Sequence, residues 1–133
     1  MKTVKQTYNL FLDDVRKPIH AFGYTRLNIF LNEDWTIVRN YDDFVLTIRT
    51  AWEKYGHFPE IVAFDHDLAA EHYGADVQSV FNEKTGYDCA KWLIDFCIEK
   101  ELKLPRWYCH SMNPAGRDNI NFLLRNFKQH QDG

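Results

Sequence analysis

The chain has 133 residues, 45% of them hydrophobic and 16% aromatic, and this composition predicts one globular domain over residues 1–133. The net charge of -3 and the pI near 6.0 argue against an extended nucleic-acid-binding surface. No apolar run approaches the roughly 18–20 residues that a membrane span needs. Cys89, Cys97 and Cys109 lack C-x-x-C spacing, so they are expected to be buried small hydrophobes in a reducing cytoplasm.

The first half of the chain predicts two strands and one clear helix. "YNLFLDD" (8–14) is a continuous apolar run that ends in acids, which is typical of a parallel strand buried on both faces. "WTIVRN" (35–40) predicts a second strand, and residues 42–55 repeat apolar positions at helical spacing. The segment 17–34 should hold the crossover between the two strands, but it shows no clean helical period.

The second half continues the alternation of strands and helices. "IVAFDHDL" (61–68) predicts a third strand that runs into three ionisable residues, and the long connection at 69–84 is a candidate lid. Thr85 and Asp88 have the spacing of a capping box at the start of a helix. "RWYCHS" (106–111) predicts a fourth strand, and a last helix follows with Asn113 as its N-cap.

This alternation predicts an α/β fold: a three-layer sandwich around a central parallel sheet of about four strands, in the order 2-1-3-4. Ligands of such sheets bind beyond the carboxyl ends of the strands. Polar residues at three of those ends are therefore expected at one edge of the sheet: Asp13, Asp14, Asp65, His66, Asp67, His110 and Ser111.

Three interpretations of these polar strand ends stay open on the sequence alone. Asp13, Asp14 and Asp65 could share a divalent ion of the Mg²⁺/Mn²⁺ class, since such ions prefer carboxylate oxygens. His66 and His110 could act as general acid and base at a solvent-facing edge, because imidazole titrates near neutral pH; the alternative for His110 is a core histidine at the end of "RWYCHS". Alternatively, the acids are N-caps and solvated loop residues.

The segment "HSMNPAGRDN" adds a candidate phosphate site. The amides at the start of the last helix favour an anion, and Arg117 lies one turn into that helix. Arg16 follows the first acidic pair and is a second candidate. The simpler interpretations are a solvated helix charge for Arg117 and an internal salt bridge to the acids for Arg16.

Five motifs in order, "LFLDDVRKP", "WTIVRNYDDF", "FDHDL", "TGYDCAKWL" and "HSMNPAGRDNI", resemble the cyclic-phosphate processing receiver-like family, relatives of response-regulator receiver domains. The resemblance implies a receiver/flavodoxin-like fold and a phosphoesterase that acts on 2′,3′-cyclic phosphate RNA ends or cyclic nucleotides. By position, it also implies a set of site residues: Asp13, Asp14, Asp65, His66, Asp67, His110, Ser111, Asn113, Arg117 and Asn119.

The resulting hypothesis gives each group of residues a role. His66 and His110 exchange the proton, while Asp65 or Asp67 orients a histidine or, with Asp13 and Asp14, holds the ion. The phosphate is held by polar residues near the last helix and the first acidic pair: Arg16, Ser111, Asn113, Arg117 and Asn119.

Two other classes of function compete with this hypothesis. A phosphoacceptor receiver would use Asp65 as acceptor and Ser111 as switch hydroxyl, but such receivers resemble one another in having a fifth strand with a lysine, which is not predicted here. A non-catalytic nucleotide-binding module would gain little from strand-end acids without a metal.

Overall fold

A computed structural model describes residues 4–68 and 84–132. Strands and helices alternate in it as follows: β1 (Gln6–Leu12), α1 (Pro18–Thr25), α2 (Ile29–Asn32), β2 (Thr36–Val38), α3 (Tyr41–Tyr55), β3 (His57–Phe64), α4 (Gly86–Lys100), β4 (Arg106–Cys109) and α5 (Pro114–Asp132). The candidate lid at 69–84 falls, except for its last residue, outside the described residues.

The four strands form one parallel sheet in the order β2-β1-β3-β4, which confirms the predicted order. In its register, Leu12 of β1 pairs with Val38 of β2 and with Phe64 of β3, and Phe64 pairs in turn with Cys109 of β4. The carboxyl ends of all four strands therefore lie at the same level, and the residue that follows each strand emerges beside its neighbours.

Each face of the sheet packs against its own layer of helices. Leu12 and Phe64 belong to the larger core, to which α3, α4 and α5 contribute their buried side chains. Phe11 and Ala63 point to the other face, where Phe30 and other residues of the α1–α2 segment cover them. This three-layer arrangement confirms the predicted α/β sandwich.

Residues 17–34, which show no helical period in the sequence, contain two short helices. Helix α1 starts with Pro18 at its first position, and the amide of its N-cap residue Lys17 donates to Nδ1 of His20 at 3.0 Å, but the helix buries only Ala21. Helix α2 is one turn long and buries only Phe30. Because each helix buries a single residue, neither produces the repeating apolar stripe by which helices are recognised.

Most of the remaining elements lie close to their predicted positions, but β3 (His57–Phe64) begins and ends four residues before the predicted range 61–68. β1, β2 and β4 each end two residues before the predicted end, so the ionisable residues follow the strands. All three cysteines are free, and burial raises the pKa of each thiol. Cys89 and Cys97 are buried as predicted, whereas Cys109 is half-buried. Within the described ranges, no helix combines the length and hydropathy needed to cross a bilayer.

The predicted capping box begins α4: the Thr85 hydroxyl accepts a bond from the Asp88 amide, and the Asp88 carboxylate accepts one from the Thr85 amide at 2.8 Å. Thr85→Ala should destabilise the protein by about 1 kcal/mol and lower the melting temperature by about 3–5 °C. Thr85→Ser keeps the hydroxyl and should melt close to the parent. Equal melting temperatures for the alanine and serine variants would show that the cap contributes nothing measurable.

Candidate active site

The backbone hydrogen-bond ladder continues one residue past three of the strands. The amide of Asp13 donates to Val38 O at 3.1 Å, that of Asp65 to Leu12 O at 3.0 Å, and that of His110 to Phe64 O at 3.0 Å. These bonds place Asp13, Asp65 and His110 side by side in one row across the sheet. The predicted meeting of strand ends therefore has a specific cause in the strand register.

Asp13 lies fully buried at the centre of this row. Its Oδ1 accepts from the amides of Val15 at 3.0 Å and Arg16 at 2.8 Å, and its Oδ2 accepts from Nε2 of His110 at 3.0 Å. Burial by itself raises the pKa of Asp13, but these hydrogen bonds, that of His110 first, outweigh it and bring the pKa down to about 2. Asp13 is therefore ionised at neutral pH.

His110 is 1% exposed, so the expectation that both histidines lie at a solvent-facing edge is wrong for this residue. Its ring stacks on Phe11, with ring centres 4.4 Å apart, and Tyr24 donates its hydroxyl hydrogen to the carbonyl of His110. Burial lowers the pKa of His110. The neutral ring donates from Nε2 to Asp13, and Nδ1 is buried without a hydrogen-bond partner in the part of the chain described.

Asp14 and Asp65 are also buried, and one carboxylate oxygen from each of Asp13, Asp14 and Asp65 lies within 4.8 Å of the others. Burial, followed by the negative charge of Asp13, raises the pKa of Asp65 to about 7. A divalent cation would relieve both the repulsion and the desolvation. Three buried carboxylates in this arrangement suit a hard ion such as Mg²⁺ or Mn²⁺, so the donor set fits the predicted metal.

His66 belongs to a second hydrogen-bonded group beside the acids. Its Nδ1 lies 2.9 Å from Oδ1 of Asp67, while Asn113 donates from Nδ2 to Asp67 at 3.4 Å and accepts the amide of Gly116 at 3.1 Å. The last contact confirms Asn113 as the N-cap of α5. With Nδ1 bonded to Asp67, Nε2 is the nitrogen of His66 that can exchange a proton.

Two glycines allow the helices to approach this group, and sequence reasoning missed both. A Cβ on Gly86 would lie 1.7 Å from the carbonyl oxygen of Asp65, and a Cβ on Gly116 would lie 2.3 Å from the His66 ring. The amide of Gly86 donates to His66 O at 2.8 Å. Their signal in the sequence is a glycine in the first turn of a helix that follows a polar strand end, as in "TGYD" and "PAGRD".

Three of the acids and three of the phosphate candidates share one cleft of about 310 Å³, which neither Asp13 nor His66 lines. Its lining consists of Asp14, Val15, Arg16, Asp65, Asp67, Ser111, Met112 and Asn113. Arg16 also contacts Asp13, with Nη1 at 3.6 Å from Oδ2. Arg16 therefore forms the internal salt bridge and lines the cleft at the same time. Arg117 and Asn119 of α5 do not line this cleft. Asn119 is exposed, and Arg117 is half-buried.

Arg39 supports the site without having been predicted. Its Nη1 donates to the carbonyl of Asp13 at 3.1 Å and to that of Arg16 at 2.7 Å. This guanidinium ties the end of β2 to the loop after β1, which contains Asp13, Asp14 and Arg16. Two bonds to main-chain carbonyls depend on the loop's path, which no local pattern in the sequence reveals.

With the geometry defined, comparison with known proteins decides the family. Residues 8–126 match the sequence model of the Cyclic-phosphate processing Receiver domain. The chain belongs to this family. No curated protein and no solved structure matches it. The match confirms the resemblance read from the five motifs and agrees with the receiver-like sheet.

The raised pKa of Asp65 makes the stability of this receiver domain depend on pH. Unfolded Asp65 loses its proton near pH 3.8 and folded Asp65 near 7, so folding is disfavoured increasingly between these values, by up to about 4 kcal/mol. Asp65→Asn should therefore stabilise the metal-free protein more at pH 8 than at pH 5, as measured by urea unfolding. Millimolar Mn²⁺ should stabilise the parent at pH 8 and have little effect on the variant.

Asp95→Asn, at an exposed acid of α4, is the matched control. The free energies of unfolding of Asp65→Asn and Asp95→Asn should differ from each other most above pH 7. A parent whose unfolding curve at pH 8 does not move with Mn²⁺ would contradict the metal site, even if the effect of pH were as expected.

Arg39→Lys tests the bracing of the acidic loop. A lysine cannot reproduce the planar guanidinium, so we expect a loss of about 1–3 kcal/mol and weaker Mn²⁺ binding by isothermal titration. Arg49→Lys is the control, because the Arg49 guanidinium stacks on Trp92 of the helical layer, 5.8 Å from its ring centre. Unchanged Mn²⁺ affinity in Arg39→Lys would limit Arg39 to a role in stability.

Proposed function

We propose that this receiver domain is a phosphoesterase that opens 2′,3′-cyclic phosphates on nucleotides or RNA ends. The observation that supports this most directly is the composition of one cleft: it contains the carboxylates Asp14 and Asp65 together with Asp67, the partner of His66. A candidate cation site and a candidate proton carrier thus adjoin a space large enough for a small phosphate ester.

In the proposed reaction, the oxygen of a water molecule forms a bond to phosphorus and the bond from phosphorus to one ribose oxygen breaks. His66 donates a proton from Nε2 to the departing ribose oxygen, and Asp67 keeps the ring in the required orientation through Nδ1. Asp65, with a pKa near 7, accepts the proton that water releases when no metal is bound. The product is a ribose phosphate monoester.

The phosphate would be held from two sides of the cleft. Ser111 and Asn113 line it at the start of α5, where the helix dipole favours an anion, and Arg16 lines it from the β1–α1 loop. The placement of Arg117 and Asn119 outside the lining gives them a smaller part in the proposal than the sequence suggested. A Mg²⁺-class ion bound by Asp13, Asp14 and Asp65 would supply neutralisation of the phosphate charge.

His110 has a different role in this proposal from the one expected of a paired base. Its buried hydrogen bond to Asp13 makes it a positioning residue, because it orients the carboxylate and keeps it ionised. His110→Asn should therefore impair folding or metal binding as well as turnover, whereas a residue that only transfers a proton should alter turnover alone.

The direct test is a product-resolved assay on 2′,3′-cyclic nucleotides, with Mn²⁺ and with EDTA. Loss of the proton carrier in His66→Asn should lower turnover by about 10²–10⁴-fold at an unchanged melting temperature. His130→Asn, at an exposed histidine of α5, is the matched control and should retain full activity. Conversion of the cyclic phosphate into the ribose phosphate monoester can be followed by ³¹P NMR, which also identifies whether the 2′ or the 3′ isomer is formed.

The receiver-type alternative is separated by a second measurement. Incubation with Mg²⁺ and phosphoramidate would add a phosphate to Asp65 if this were a phosphoacceptor, and intact-mass analysis would detect it. A phosphate adduct that disappears in Asp65→Asn, with no ring opening of any cyclic nucleotide, would replace the phosphoesterase proposal by a signalling role.

A further inference from the structure

One part of the cleft lining is apolar. Val15 and Met112, here called the lip, are 49% and 61% exposed, whereas the other lining residues are polar or charged. Single exposed apolar side chains are common on protein surfaces. These two differ because they come from the loops after β1 and β4, yet line the same small cleft beside the acids.

Arg16 contacts the Met112 side chain of the lip. The guanidinium donates from Nη2 to Sδ of Met112 at 3.3 Å and places Cζ 5.5 Å from the ring centre of Tyr24. Its other nitrogen contacts Asp13 at 3.6 Å. Arg16 therefore connects the acidic part of the cleft to Met112, so an exposed and otherwise adaptable side chain is held next to the site.

Given the proposed function, we propose that the lip contacts the base and ribose of the substrate, so that nucleoside 2′,3′-cyclic phosphates are preferred over cyclic phosphates that lack a base. The acids, Ser111 and Asn113 would receive the phosphate end. The lip side chains have no nitrogen or oxygen atoms with which to read the edges of a base. They offer dispersion contacts to any base face, so the preference extends to purines and pyrimidines alike.

A free cyclic nucleotide and the last nucleotide of an RNA share this chemistry. The cleft of about 310 Å³ is at the small end of ligand sites, so one nucleotide fills it. A dinucleotide ending in a 2′,3′-cyclic phosphate distinguishes the two sources, since a kcat/KM close to that of the mononucleotide shows that only the terminal unit is contacted. A much higher value for the dinucleotide would identify an RNA end and extend the site beyond the lip.

The test compares kcat/KM for 2′,3′-cyclic AMP, 2′,3′-cyclic CMP and glycerol 1,2-cyclic phosphate. Met112→Ala and Val15→Ala should each lower the value for both nucleotides by about three- to tenfold, as expected for the loss of apolar contact with the nucleoside, and leave the glycerol substrate unchanged. Met112→Leu should restore most of the loss. Leu46→Ala is the control, because Leu46 is 64% exposed on α3 and lies outside the cleft lining.

A binding measurement tests the proposed base contact of the lip independently of catalysis. Adenosine 2′-monophosphate should bind the Mn²⁺-loaded parent about three- to tenfold more tightly than glycerol phosphate, and the double variant Val15→Ala/Met112→Ala should remove the difference. Base-dependent binding without turnover of any substrate would overturn the phosphoesterase proposal but support the contact between the lip and the base. Turnover with equal kcat/KM for nucleotide and glycerol substrates, or equal affinity for the two phosphate monoesters, would overturn the proposal that the lip contacts the base.

Discussion

The hydrogen bond between His110 and Asp13 is the contact on which the site depends. It joins residues 97 positions apart in the chain, at the ends of β1 and β4, with both side chains withdrawn from solvent. Neither group would be stable there alone, because a buried carboxylate and a buried imidazole both need a partner. The bond keeps Asp13 charged, while burial, which outweighs the effect of the Asp13 charge, lowers the pKa of His110 and keeps its ring neutral.

Opposite pKa shifts on adjacent carboxylates follow from this arrangement. Asp13 accepts three hydrogen bonds and has a pKa near 2, whereas Asp65 accepts one from the His66 amide and faces the charge of Asp13, which places its pKa near 7. Between about pH 2 and pH 7, Asp13 is therefore ionised while its neighbour Asp65 is protonated. The folded protein tolerates the repulsion because the backbone ladder and Arg39 fix the loop positions.

Much of this arrangement could be predicted from the sequence, because it follows from a topological rule. Continuous apolar runs that end in acids identified β1 and β3, and parallel strands bring their carboxyl ends to one edge. The acidic cluster of Asp13, Asp14 and Asp65 needed no further information. The Thr85 and Asn113 caps were equally accessible, since capping depends on residues three positions apart.

Burial and long-range hydrogen bonding set the limit of sequence reasoning here. The residue type and strand-end position of His110 suggest an exposed acid or base, and its true environment depends on the stacked ring of Phe11 and on Asp13. Those contacts exist only after β1 and β4 are placed on either side of β3. His110 lies in the interior and Met112 in the cleft, although both follow β4 within three residues, so nearness to the same strand end implies no common role. Proximity to a strand end therefore predicts membership of the site, while the face of the sheet and the neighbouring helices decide what each residue does there.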